Sequence, residues 1–176
     1  MTDHVSATVG EGYTNTASGV YATIPGGFDN TAQGDYSFAA GRRAKANDPG
    51  SFVWGDSTNQ DFASTAANQF MVRASGGVTL AVGSGAWRIE PNATNPNLIG
   101  GYSGNWLTPG VYGATISGGG RSILPNSVTD SYSTVGGGMD NRAGDAAGTA
   151  TDRSGATVGG FGNTASGFLR HGGWGP

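Results

Sequence analysis

Ala7-Thr8-Val9-Gly10-Glu11-Gly12-Tyr13-Thr14-Asn15-Thr16-Ala17-Ser18-Gly19 returns fifteen positions later as Ala22-Thr23-Ile24-Pro25-Gly26-Gly27-Phe28-Asp29-Asn30-Thr31-Ala32-Gln33-Gly34. The registers coincide at Ala7/Ala22, Val9/Ile24, Gly12/Gly27, Asn15/Asn30, Ala17/Ala32 and Gly19/Gly34. A weaker copy follows in Tyr36 to Gly41, Ala44 to Ala46 and Gly50. Within each copy Ala and Val/Ile alternate with Thr or Ser, the period-two pattern of a strand with one buried face. About fifteen residues suit one solenoid turn, two short strands joined by two tight corners. Turns stacked about 4.8 Å apart would set Tyr13 over Phe28, Tyr21 over Tyr36 and Asn15 over Asn30 as ladders.

The pattern resumes at Asn97-Leu98-Ile99-Gly100-Gly101, Ala114-Thr115-Ile116-Ser117-Gly118, Ser133-Thr134-Val135-Gly136-Gly137 and Ala156-Thr157-Val158-Gly159-Gly160. Its Ile/Val positions 99, 116, 135 and 158 are 17, 19 and 23 residues apart, so corner insertions are expected, notably at 121–130 and 145–155. Such loops gather on the solvent side, where recognition residues sit. Between the two blocks, Ser51 to Asp56 and Asn68 to Ala74 are rich in aromatic and β-branched residues and read as strands. A Ser75-Gly76-Gly77 turn leads on into Val78 to Val82. The expectation is an all-β chain in three parts: a first β-roll block at 1–50, a small antiparallel region at 51–95, and an irregular β-roll block at 96–176. Its core would be carried by Val9, Ala17, Ile24, Ala32, Ile99, Ile116, Val135 and Val158.

Composition agrees with a thin, repeat-built structure. Thirty-four of 176 residues are glycine, and Leu, Ile, Val and Phe total only 28. That is low enough to raise disorder, but the net charge of −3 gives little self-repulsion, and the glycines recur at regular spacing. So thin a core suggests that several chains share one. No basic patch accompanies the mildly acidic balance, which argues against nucleic acid. Cysteine is absent, which removes thiolate chemistry. No apolar run approaches a membrane span, so the segment is not expected to embed in a bilayer. The opening MTDHVSATVG reads without the basic and apolar regions of a signal peptide.

The A-T-V-G-G-x-x-x-N-x-A-x-G run resembles the head repeats of trimeric autotransporter adhesins. The order Gly41 to Ser57 (GRRAKANDPGSFVWGDS), Asn68 to Val78 (NQFMVRASGGV) and NLIGGYSGN resembles repeat-rich bacterial surface proteins and phage tail-fibre-like proteins. The resemblance implies a homotrimer of parallel β-rolls, displayed outside a cell or on a virion or fibre surface, with an adhesive or spacer role. An adhesin module and a tail-fibre module that recognises a host glycan both remain open.

Chemical motifs are sparse. The two histidines, His4 and His171, lie near the ends, and neither a zinc signature nor a nucleophile elbow occurs. Asp56/Asp61 is the acidic pair considered for glycoside hydrolysis, which needs two carboxyls flanking one bond. The Gly160 to Ala165 run matches a relaxed dinucleotide pattern but belongs to the repeat and has no following helix pattern. The Thr column at 8, 23, 115, 134 and 157 reads as a polar strand face. No catalytic, cofactor or metal residues are expected, so a non-enzymatic module is the leading reading and a glycan-cleaving β-helix the enzymatic rival. Trp87, Tyr102, Trp106, Tyr112 and Trp174 are the candidate recognition residues, because aromatic rings with polar rims suit carbohydrate or protein surfaces; packing in a shared core is their alternative use.

Overall fold

A computed structural model describes residues 6–145 and 157–166. Among them there is no helix, and a parallel β-solenoid of about nine turns recurs at about 15 residues. The chain falls into two compact units, Met1–Ser75 and Gly76–Pro176.

The first unit contains β1 (Thr8–Tyr13), β2 (Thr16–Ala17), β3 (Thr23–Phe28), β4 (Thr31–Ala32), β5 (Phe38–Arg42), β6 (Ala44–Ala46), β7 (Phe52–Gly55), β8 (Phe62–Ala63) and β9 (Phe70–Arg73). Odd-numbered strands form one sheet in the order β1-β3-β5-β7-β9, and even-numbered strands a second, β2-β4-β6-β8. Pairing within both sheets is parallel. Alternation decides what fills the gap between them: Ile24, Ala39 and Val53 project inward from one sheet, Ala32 and Ala46 from the other, all fully buried.

Two sequence expectations are corrected in this unit. The strands at 52–55 and 70–73, read as antiparallel, are parallel turns of the solenoid, with Phe38 beside Phe52 and Phe52 beside Phe70. The residues between them include β8, so the chain completes a whole turn and returns in the same direction. A Phe where earlier turns carry Thr disguised the repeat. Val9, expected in the core, is 45% exposed. It pairs with Ile24 on one side and, among the described residues, has no turn stacked on the other. Ala17 is half-buried against the same core.

The second unit opens with β10 (Val78–Val82) and β11 (Gly85–Glu90), followed by β12 (Asn97–Ile99), β13 (Trp106–Leu107), β14 (Thr115–Ile116), β15 (Ser127–Val128), β16 (Thr134–Val135), β17 (Arg142–Ala143), β18 (Thr157–Val158) and β19 (Thr164–Ala165). Among the described strands, antiparallel pairing is confined to β10–β11 and β11–β12. The hairpin then caps a parallel series, β12-β14-β16-β18, opposite a second sheet, β13-β15-β17-β19. Ile99, Ile116, Val135 and Val158 align in register despite their widening spacing. The first three are buried, and Val158 packs against them half-buried.

The expected insertion at 121–130 is narrower than its sequence suggests. Arg121 and Leu124 close it by exchanging backbone hydrogen bonds of 3.2 and 2.9 Å. Residues 126–130 are buried instead, Asn126 and Val128 fully and Asp130 to 1% exposure, while Ser127 takes the outward position of its short strand. Most of the second expected insertion, 145–155, lies outside the described residues.

Asparagine holds the turns in register. Asn105, Asn126, Asn141 and Asn163 stand one above another, each Oδ1 accepting the next turn's asparagine N–H at 2.8, 3.0 and 3.1 Å. Their Nδ2 groups donate to glycine carbonyls of the neighbouring corner; Asn141 reaches Gly137 at 3.0 Å and Gly160 at 2.7 Å. Gly138, at φ 80°, lies so close to the Gly160 carbonyl that a Cβ would collide with it. In the first unit the ladder is shorter: Asn30 stacks on Asn15 through bonds of 3.0 and 3.1 Å. It then hands its Oδ1 to the Ala44 N–H at 2.9 Å. The expected Tyr13–Phe28 and Tyr21–Tyr36 stacks are present, with ring centroids 5.6 and 5.5 Å apart.

Candidate recognition surface

The candidate aromatics do not converge on one site. Trp87 projects from the hairpin beside Leu80 and Val82, lining an apolar hollow of about 250 Å³. Tyr102 borders a glycine-rich hollow with Gly101, Gly119 and Gly120. Tyr112 meets Tyr132 edge-on at 5.1 Å. Trp106 stands apart from these, on the opposite sheet, and Trp174 lies outside the described residues, as do His4 and His171.

Two outward faces emerge once the register is known. On the five-stranded sheet, Phe38, Phe52 and Phe70 form a continuous stack with centroids 4.7 and 4.8 Å apart. Beside it run Trp54 and Val72, paired across β7 and β9. Phe70 is 76% exposed, and Trp54 and Val72 are partly exposed too. In the second unit the hairpin directs Val78, Leu80, Trp87 and Ile89 to the face that carries Leu98. Contiguous exposed apolar surface of this kind marks interaction sites in soluble proteins. Only alternation identifies these faces, because inward and outward positions are equally apolar here.

The other sheet of each unit is polar outside, and the two differ. In the first unit the outward column is Thr16, Thr31, Lys45, Ala63. Next to it, on the residues preceding the asparagine column, stand Thr14, Asp29, Arg43 and Asp61. Asp29 accepts from Lys45 at 3.0 Å and pairs with Arg43 at 3.1 Å, while Arg43 also binds Asp61 at 2.8 Å. The Lys45 ammonium, first by hydrogen bonding and then by charge, holds the Asp29 carboxyl below its ordinary range. Thr14, Asp29 and Arg43 all adopt φ between 53 and 57°, a conformation that non-glycine residues rarely take.

In the second unit the matching outward column is Trp106, Ser127, Arg142, Thr164. The flanking residues are now Gly104, Pro125, Asp140 and Gly162. With three of the four shortened, a hollow of about 310 Å³ opens over the column, lined by Trp106, Ser127, Asp140, Arg142 and Thr164 among others. Trp106 is 47% exposed. Neither Asp140 nor Arg142 forms an ion pair with any described residue, and the buried Arg142 Nε has no hydrogen-bond partner among them.

The acidic pair considered for hydrolysis is committed elsewhere. Asp56 accepts the Ser75 N–H at 2.6 Å, the Thr58 N–H at 3.0 Å and Arg73 Nε at 3.3 Å. These bonds, the Ser75 N–H foremost, hold its carboxyl far below the usual range. Asp61 belongs to the Arg43 network. Among the described residues no cluster of three or more His, Cys, Asp or Glu is arranged to hold a metal ion. Comparison with family models, curated proteins and solved structures finds no match for this chain.

Proposed function

We propose that the chain is a non-enzymatic structural and adhesive module of an extracellular fibre or surface adhesin, assembled as a homotrimer. The outward apolar face of the five-stranded sheet carries this reading. Phe38, Phe52, Phe70, Trp54 and Val72 cover a strand surface that a single chain leaves in water. Each such side chain contributes about 1.5–3 kcal/mol when fully buried, and in a trimer the same face of each copy, turned to the threefold axis, would be covered by the other two. The order of three, and the display outside a cell or particle, rest on the resemblance to trimeric adhesin heads. The non-enzymatic reading is supported by the commitment of Asp56 and Asp61 to structural pairs; release of reducing ends from bacterial polysaccharide would overturn it in favour of a glycan-cleaving β-helix.

Light scattering on the purified chain tests the assembly. A trimer is expected, and the double substitution Phe52→Ser, Trp54→Ser should dissociate it. A stable folded monomer overturns the shared-face reading.

The open hollow beside Trp106 favours a second reading, that of a tail-fibre receptor-binding module for a host glycan. An exposed indole beside unpaired polar groups serves recognition better than spacing.

A further inference from the structure

We infer that the column Trp106, Ser127, Arg142, Thr164, with Asp140 at its rim, is a subsite for an uncharged pyranose sugar of a surface glycan. This rests on the receptor-binding reading and goes beyond it by naming the site and the class of sugar.

The first unit provides the internal comparison. Both units present the same outward column and flanking column, so any feature the turn itself requires should occur in both. In the first unit the flanking side chains Asp29, Arg43 and Asp61 lie over the column and neutralise its one cation, Lys45, whose ammonium is 3.0 Å from Asp29. In the second unit the flanking positions are Gly104, Pro125, Asp140 and Gly162, and the cation, Arg142, has no ion-pair partner among the described residues. A hollow of about 310 Å³ results, at the small end of the range for ligand pockets. The solenoid turn does not require it.

Its lining matches the two faces of a sugar ring. The Trp106 indole supplies a flat apolar surface for the C–H face of a pyranose. Hydroxyl groups both donate and accept, and the hollow offers both roles. Arg142 presents a planar fork of donors, the Asp140 carboxylate accepts, and Thr164 does either. Strand spacing sets these groups in steps of about 4.8 Å, so they address several hydroxyls of one residue rather than a single atom. The carboxylate also selects. Asp140 accepts hydrogen bonds from neutral hydroxyls but repels a uronate, a sulfate or another anionic substituent that Arg142 alone would attract. An uncharged sugar uses both groups at once.

The test is a printed array of neutral hexose glycans beside carboxylate- and sulfate-bearing counterparts, probed with the full chain and followed by titration of the best binder. Neutral glycans should bind, and Trp106→Ala should weaken them at least tenfold, while Lys45→Gln in the corresponding column of the first unit leaves them unchanged. Asp140→Asn, at an exposed position where folding is not at stake, should weaken neutral glycans and raise binding of the anionic ones. Neutral glycans bound equally well by Trp106→Ala would overturn the site while leaving receptor binding intact. A preference of the unsubstituted chain for anionic glycans overturns the class of sugar. Absence of binding to every glycan by folded protein overturns both this inference and the receptor-binding reading.

Discussion

The two units of this chain stack the same turn and secure it differently. In the first, a two-membered asparagine ladder gives way to ion pairs and ring stacks: Asp29 with Lys45 and Arg43, and Phe38, Phe52 and Phe70 in one column. In the second, the ladder runs through Asn105, Asn126, Asn141 and Asn163, and among the described residues the ring contact is edge-on, Tyr112 against Tyr132. The difference teaches that register can be held by a buried amide column or, where that column stops, by ion pairs and ring stacks nearer the surface. Where the amides do that work, flanking side chains are free to shrink, and the surface of the second unit opens. Where they do not, the flanking column closes over and becomes scaffold.

Three perturbations separate the shared features from the divergent ones. The largest effect is expected in the core, which the units share. Ile24→Ala and Ile116→Ala, both at fully buried residues, should each destabilise their unit by about 2–5 kcal/mol, measured by urea denaturation. A much smaller loss at Ile24 would break the equivalence of the two cores.

A smaller effect should distinguish the ladders. Asn141→Ala leaves the Gly137 carbonyl and the Asn163 N–H without this partner and removes one of two donors from the Gly160 carbonyl, which keeps the Met139 N–H at 3.0 Å, at a cost of about 2 kcal/mol. Asn15→Ala, at a half-exposed terminal position, should cost about 1 kcal/mol. Amide hydrogen exchange should show Asn141→Ala weakening protection at the ladder amides of Asn126, position 141 and Asn163 and leaving the first unit unchanged. Equal effects for the two substitutions would mean that ladder length does not matter.

Acid provides the mildest test. Asp29 and Asp56 both have carboxyls held below their ordinary range in the folded chain. Their stabilisation is therefore present above the unfolded carboxylate value of about 3.9 and is lost as pH falls through the lower folded values. NMR spectra recorded from pH 6 towards pH 2 should show the first unit loosening below about pH 4, beginning around Asp29 and Lys45, with the Ser75 and Thr58 amides holding longest because Asp56 keeps its charge to lower pH. Asp29 and its partners are partly exposed, so salt should screen their share. A second unit that loosens first would reverse the comparison.

Much of the fold was legible from spacing. The fifteen-residue step located β1 to β4, and the ring and amide stacks followed from it. The later strands were found because Ile99, Ile116, Val135 and Val158 keep their Gly-Gly or Ser-Gly context through changing gaps. What failed to show was direction and phase. Phe52 and Phe70 replace an outward Thr, so parallel turns read as a separate sheet. Asn126-Ser127-Val128 carries the same Asn-x-apolar step as Asn141-Arg142-Ala143, but the excursion at 121–124 displaces it by four positions. Trp106 could be named as an exposed aromatic; its partners Arg142 and Asp140 could not, being 36 and 34 residues away.

The sequence by itself determined that this chain coils in short β turns, how long a turn is, and which side chains of the regular repeats, such as Ile24, Ala32, Ile116 and Val135, point inward, because those depend on periods of two and about fifteen along the chain. Only the tertiary structure decided which outward residues share a surface. Stacking brings together positions a whole turn or more apart, and whether Arg142 is neutralised or left open depends on the side chain in the column beside it. That column is Asp29, Arg43 and Asp61 in one unit and largely Gly and Pro in the other. Its effect is felt across turns, through space, where no local pattern records it.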